Sequence, residues 1–322
     1  MLRDLLTILA DGNFHSGEEL GTRLGVTRAA VWKQLKKLES LKIPLSSVKG
    51  KGYRLGDAVE LLDEKTILEK LDCRLDSLDV LLSTESTNTY LLDIASHHMG
   101  KRYAVLSEKQ DSGRGRRGRE WVSPFGKNIY LSMLWSFQGG LASLGGLSLV
   151  VAIAVERALV ELGVVGIKLK WPNDVYLDDK KLAGILLEVS GEYSGYCQVV
   201  IGIGLNIKLS DRDAKSIDQP WSQLAEHLIG VDRNTIAATV IEQLMKSIEA
   251  FDKHGFQSFK EYWVKRDAFY GKEVELILPG RVRAGISRGV NSKGELLLET
   301  DTGLEAINAG ELSLRLKHVL IN

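Results

Sequence analysis

The first sixty residues constrain the fold most, because two helix-start signals flank a glycine stop and a short glycine-rich hairpin follows. Leu2, Leu5, Leu6 and Leu9 recur at helical spacing and end at Asp11-Gly12. Ser16-Gly17-Glu18-Glu19 is a capping box for a second helix, with Leu20 and Leu24 on one face and Gly25 as its stop. Thr27 then caps a third helix whose inner stripe is Val31, Leu35 and Leu38 and whose outer face carries Arg28, Lys33, Lys36 and Lys37. Ile43 to Leu45 and Tyr53 to Leu55 read as strands around Val48-Lys49-Gly50-Lys51-Gly52, a tip suited to touching phosphate. A solvated cationic helix beside an ordinary hairpin would explain each piece alone. Helix order, turn position and basic tip together predict a winged helix-turn-helix. Its candidate DNA contacts are Thr27, Arg28, Ala29, Lys33, Lys36, Lys37, Lys49 and Lys51.

Charge distribution agrees. The 322-residue chain has 42 basic and 42 acidic side chains, yet residues 1–55 hold 10 Lys/Arg against 5 Asp/Glu, leaving 32 against 37 elsewhere. Cys73 and Cys197 match no metal or disulfide spacing, which favours a reducing compartment, and cytoplasm is the expected location. Met1 to Ala10 is interrupted by Asp4, so neither a signal peptide nor an anchor is expected there. Leu144 to Val155 is too short to span a bilayer, and no membrane association is expected.

After a linker near Gly56 to Asp63, strands and helices alternate without a βαβ rhythm, predicting an α+β fold. Strands are expected at 80–82, 104–107, 129–135, 175–177, 182–187 and 199–205, with helices at 90–95 and 147–162. Gly113-Arg114-Gly115-Arg116-Arg117-Gly118-Arg119 formally fits a dinucleotide-binding fingerprint, but Glu120-Trp121-Val122-Ser123-Pro124 gives it no following helix. Three readings stay open for it: a glycine-hinged lid whose guanidiniums grip an anion, an RNA-touching disordered tract, or a solvated basic loop. Ser86-Thr87-Asn88 could simply cap a helix, and Lys181, placed in a turn spanning Asp178 to Lys181, could simply be solvated. No P-loop, zinc-protease motif, nucleophile elbow or Cys/His cluster is present, so covalent catalysis by a protein nucleophile is not expected.

Taken in order, Glu85-Ser86-Thr87-Asn88, Gly113 to Gly118 with Trp121, Lys170-Trp171-Pro172-Asn173-Asp174, Lys181 to Leu186 and Gly202 to Asn206 resemble the motifs of the bifunctional biotin–protein ligase/biotin operon repressor family. The resemblance implies a winged helix at 1–60, a mixed α/β ligase domain at 65–270 and a small SH3-like β-barrel at 271–322. It implies that biotin and ATP form biotinyl-5′-AMP, that an acceptor lysine on biotin carboxyl carrier protein is then biotinylated, and that the ligand-bound chain dimerises on operator DNA. Lys181 and Arg116 would be catalytic. Ser86, Thr87, Asn88, Gln110, Arg114, Gly115, Arg116 and Lys181 would bind biotin. Arg116, Arg119, Trp121, Asn173, Asp174 and Asn206 would bind nucleotide, with Mg²⁺ arriving with ATP, near Asp174, and no dedicated metal site. A repressor that senses a nucleotide without catalysis and a lipoate ligase are the competing readings.

Overall fold

The structure, a computed structural model, describes residues 1–56, 58–191, 195–278, 280–309 and 312–317. The N-terminal unit packs α1 (Leu2–Leu9), α2 (Gly17–Leu24) and α3 (Arg28–Ser40) against the antiparallel pair β1 (Leu45–Val48) and β2 (Gly52–Leu55). Ser16 Oγ accepts from the Glu19 amide at 3.0 Å and Thr27 Oγ1 from the Ala30 amide at 3.3 Å. Each such cap contributes about 1 kcal/mol. Gly25 closes α2 at φ 65°, a conformation glycine adopts without cost. The predicted first strand moves: Ile43 donates its amide to Leu38 at the end of α3, Pro44 has no amide to pair, and β1 begins only at Leu45.

The central sheet has seven strands in the order β3 (Ser77–Leu81), β4 (Tyr103–Ser107), β5 (Ile129–Phe137), β9 (Cys197–Leu205), β8 (Lys180–Gly191), β7 (Asp174–Leu177) and β6 (Lys168–Lys170). Only β3 and β4 run parallel. Alternation gives each strand two distinct faces. Leu131, Met133, Ala183, Ile185, Ile201 and Ile203 join one core with α6 (Leu147–Glu161) and with α7 (Arg233–His254), an element absent from the expectations above. The opposite face carries Ser132, Gly184, Gly202 and Gly204 and receives the shorter α5 (Thr87–Ile94). α4 (Glu64–Glu69) and α8 (Lys260–Val264) complete this unit's helices.

The C-terminal strands β10 (Glu273–Leu278), β11 (Arg281–Val290), β12 (Leu296–Thr300), β13 (Gly303–Ile307) and β14 (Ser313–Leu316) form an antiparallel sheet ordered β13-β12-β11-β10-β14. The expected SH3-like barrel is corrected on this point. Among the described residues β13 and β14 stand at opposite edges, unpaired with each other, so the sheet is open. Val274, Leu276, Leu296 and Leu298 continue the central core, which closes one side of the sheet without barrel closure.

Between the winged helix and the central sheet lies a polar clasp. Glu108, 1% exposed, accepts from the Leu62 amide at 2.5 Å and from Arg233 at 2.8 Å. Arg233 also donates to the carbonyls of Glu60 and Asn128, both at 2.7 Å. Phe125 from the central unit enters the winged-helix core, so the two are packed as well as clasped. Arg233→Met strands the Glu108 carboxylate in the interior, a loss of about 3–5 kcal/mol. Urea unfolding should register that loss, with part of it recovered on adding Glu108→Gln; an unchanged midpoint for Arg233→Met would contradict the clasp.

Candidate active site and nucleic-acid surface

On the glycine face, backbone register decides which side chains meet. Gly202 pairs with Ser132 across β5 and β9, and a Cβ at Gly202 would stand 2.3 Å from Asn88 Oδ1, so the glycine lets α5 dock onto the sheet. Ser132 Oγ lies 2.7 Å from Thr87 Oγ1 and 2.6 Å from Asn88 Oδ1. Gln110 Oε1 accepts from the Thr87 amide and hydroxyl at 2.9 and 3.1 Å. Glu188 accepts from Asn88 at 2.8 Å and from Arg114 at 3.0 Å. Ser86 precedes α5 but makes no side-chain cap, so the capping-only reading of Ser86-Thr87-Asn88 fails.

Two residues farther along β9, Gly204 pairs with Gly184 on β8. Trp121 rests over this pair: Cβ atoms there would come within 2.3 and 3.0 Å of the indole. Its Nε1 is buried with no hydrogen-bond partner among the described residues. The Arg/Gly segment that delivers Trp121 is a closed hairpin, not an open tract. Gly115 donates to Arg119 O at 2.7 Å, Trp121 donates to Gly113 O at 2.8 Å, and Arg117 takes the left-handed φ of 61°. Arg116 donates to Asn173 Oδ1 at 3.3 Å and to Ala309 O at 2.6 Å, tying the hairpin to the C-terminal sheet. Burial lowers its pKa, opposed by the nearby Asp174 carboxylate.

Lys181 reaches this face through a local irregularity. The β7–β8 turn consists of Asp178 and Asp179 alone, both at positive φ, with Leu177 paired to Lys180; the four-residue turn expected from the sequence is therefore too long. Tyr176 then faces Lys181 while Val175 faces Ala183, leaving Leu182 as a bulge. Were Leu182 instead paired in regular alternation, Lys181 would share the core-facing side of Ala183. With the bulge, Leu182 is buried in the core and Lys181 Nζ stands 2.7 Å from Asp174 Oδ1 and 5.5 Å from the Trp121 ring centre. The lysine is 14% exposed, not a solvated turn residue. The Lys181 to Asp174 contact is close but not aligned as a hydrogen bond, so its attraction is Coulombic. Lys170 lies 3.7 Å from Asp174 Oδ2 and donates to the Tyr176 hydroxyl at 2.9 Å.

Ser86, Thr87, Asn88, Gln110, Arg114, Gly115, Arg116, Arg119, Trp121, Asn173, Asp174, Lys181 and Asn206 all line one cavity of about 360 Å³. Sequence reasoning passed over Ser132 and Glu188 and gave Lys170, quoted within its motif, no role; all three hold these residues from the sheet side. Their signal was alternation: each lies on the same strand face as a chosen glycine or aspartate. No group of three or more His, Cys, Asp or Glu among the described residues could hold a metal. The candidate DNA contacts gather elsewhere. Arg28, Ala29, Lys33, Lys36 and Lys37 are exposed on α3 behind Thr27, and Lys49 and Lys51 are exposed at the β1–β2 tip. Trp32, 56% exposed on the same helix, was not anticipated.

The comparisons with known proteins define the class first. A model of the biotin/lipoate A/B protein ligase family matches residues 80–206, an HTH domain model residues 2–54, and a biotin protein ligase C-terminal domain model residues 269–315. The bifunctional ligase/repressor BirA of Escherichia coli (strain K12) is 44% identical over 312 residues, 97% of this chain and 96% of that protein. Its Bacillus subtilis (strain 168) namesake is 30% identical over 323 residues, covering 97% and 98%. A biotin protein ligase from Aquifex aeolicus, solved in complex with biotin and ATP, superposes with TM-score 0.64 at 29% identity over 76% of this chain and 100% of its own. The chain belongs to the bifunctional ligase/repressor family of biotin protein ligases.

A methyl group at Gly204 collides with the indole. Gly204→Ala should therefore lift Trp121 off the sheet and red-shift its emission, read as the difference from a Trp121→Phe background, with the far-ultraviolet dichroism retained. An unchanged emission spectrum would contradict the stacking.

Proposed function

We propose that this chain is an ATP-dependent biotin–protein ligase and also a repressor of biotin synthesis genes, with biotinyl-5′-AMP as corepressor. The observation that carries the reading is the trough over Gly202, Gly204 and Gly184. At one end stand the amides and hydroxyls of Thr87, Asn88, Ser132 and Gln110; at the other stand an indole and a cluster of cations; Lys181 lies beside the second. A neutral polar head, a short apolar arm ending in a carboxylate, and a nucleoside triphosphate match that sequence of surfaces.

In this reading Ser86, Thr87, Asn88 and Gln110 hold the polar head of biotin, with Arg114 and Gly115 closing over it. A biotin carboxylate oxygen attacks the α-phosphorus of ATP, and the bond to the β-phosphate bridging oxygen breaks, releasing pyrophosphate. Two anions must approach for this to happen. Lys181 offsets charge on both, and Arg116 retains the mixed anhydride by charge-assisted hydrogen bonds. The neutral amine of an acceptor lysine then attacks the acyl carbon, and AMP leaves. Trp121 stacks on adenine, while Arg119, Asn173, Asp174 and Asn206 hold ribose and phosphates. Mg²⁺ would come bound to the ATP phosphates and would neutralise their charge, with the Asp174 carboxylate on the cavity wall beside them.

The acceptor is biotin carboxyl carrier protein and the nucleic acid is operator DNA, read by the winged helix as a homodimer. The working units are 1–60 for DNA binding, 65–270 for catalysis and 271–322 as the C-terminal β domain. No helix among the described residues is long and apolar enough to cross a membrane. The cytoplasm is the proposed location, as the setting in which ATP and the acceptor meet.

Lys181→Ala should leave biotin binding largely intact while slowing adenylate formation by about two to three orders of magnitude. Single-turnover appearance of biotinyl-AMP is the measurement, and an unchanged rate would remove Lys181 from the mechanism. A lone winged helix touches few phosphates, so operator affinity should rise when biotinyl-AMP promotes a dimer. Sedimentation and operator titration at one salt concentration test this; equal dimerisation and affinity with and without the adenylate would refute ligand-controlled repression.

A further inference from the structure

Asp174 is held between two ammoniums of different character. Lys181 sits just past the β7–β8 turn, and among its described neighbours only Asp174 and the Trp121 face attract its ammonium. Lys170 is anchored. It lies directly across β6 and β7 from Asp174, its ammonium donates to the Tyr176 hydroxyl at 2.9 Å, and the rings of Tyr176 and Phe269 face it at 5.0 and 5.6 Å. Only 11% of its side chain is exposed. With Lys181 engaged at 2.7 Å, Lys170 stays at 3.7 Å from the other carboxylate oxygen. Asp174 therefore offsets the charge of Lys181 in this arrangement, and a lysine bound to a carboxylate is a poor partner for an incoming anion.

We propose that Lys170 is a positioning residue for adenylation: it holds Asp174 when Lys181 leaves that carboxylate to bridge the acid substrate and the α-phosphate. The assignment rests on the ligase reading of this same cavity. Its physical basis is the cost of stranding a buried carboxylate. If Lys170 were absent, releasing Lys181 would leave a carboxylate that is only 11% exposed with no ammonium partner, so Lys181 would be held more tightly. An anchored second cation removes that obstacle, and the aromatic cage keeps it from following Lys181 toward the phosphates.

Lys170→Met in the full-length chain should lower the single-turnover rate of biotinyl-AMP formation by about 10- to 100-fold. Biotin affinity and the urea midpoint should stay near wild type, and the KM for ATP should change far less than the rate. Lys170→Arg, which keeps the charge, should recover much of the rate. In an Asp174→Asn background the same Lys170→Met change should cost little, because no carboxylate then needs a second partner. A full-size loss in that background would overturn the proposal, since Lys170 would then act on something other than Asp174. So would a wild-type rate for Lys170→Met, or a loss confined to ATP KM. Failure of the wild-type chain to form biotinyl-AMP at all is a separate result, which would overturn the ligase reading and this assignment with it.

Discussion

A seven-stranded sheet with helices on both sides has two faces, and one residue of register decides to which face every side chain belongs. Here the core face is filled by α6 and α7 against valine, leucine and isoleucine, while the other face is thinned at Gly184, Gly202 and Gly204. Burial of the apolar face, at roughly 1.5–3 kcal/mol for each large aliphatic side chain, fixes the register so firmly that the glycine face is determined with it. The trough, the seat of α5 and the resting place of Trp121 all follow from that constraint. The Leu182 bulge is its one local exception, and it moves Lys181 to the face where a charge is useful.

The second organising feature is a shortage of negative charge. Lys181 and Lys170 converge on Asp174, Arg116 lies close enough to feel its charge, and Arg119 is near enough to act on Lys170. A cavity lined by more cations than anions attracts a polyanion before any contact is made. The C-terminal sheet takes part as a wall, through the bond from Arg116 to Ala309.

The legible parts of the sequence were those with local physical causes. The caps at Ser16 and Thr27, the stop at Gly25 and the alternation of Ile129 to Trp135 each follow from interactions within a few residues, and the elements appear where they were expected. The motif residues were legible as a set because order along the chain carries information that no single residue does. The rest depended on register and distance. Nothing near Lys181 in the sequence announces that Leu182 bulges, and Glu188 and Ser132 matter only because strands distant in sequence place them beside Asn88. α7 begins at an Asp232 cap, a local signal that was readable, yet its role of clasping Glu108 through Arg233 spans 125 residues of chain. Barrel closure was not legible, because strand-rich pattern alone does not specify it, and among the described residues the five strands form an open sheet.

The central claim is that the cavity activates the carboxylate of biotin by reversible adenylation. The most direct measurement is exchange of labelled pyrophosphate into ATP by the full-length chain, with biotin, with lipoate and with neither. Reversible adenylation of biotin predicts exchange that requires biotin and does not proceed with lipoate in its place. Exchange supported by lipoate instead, or none with biotin at all, would contradict the account.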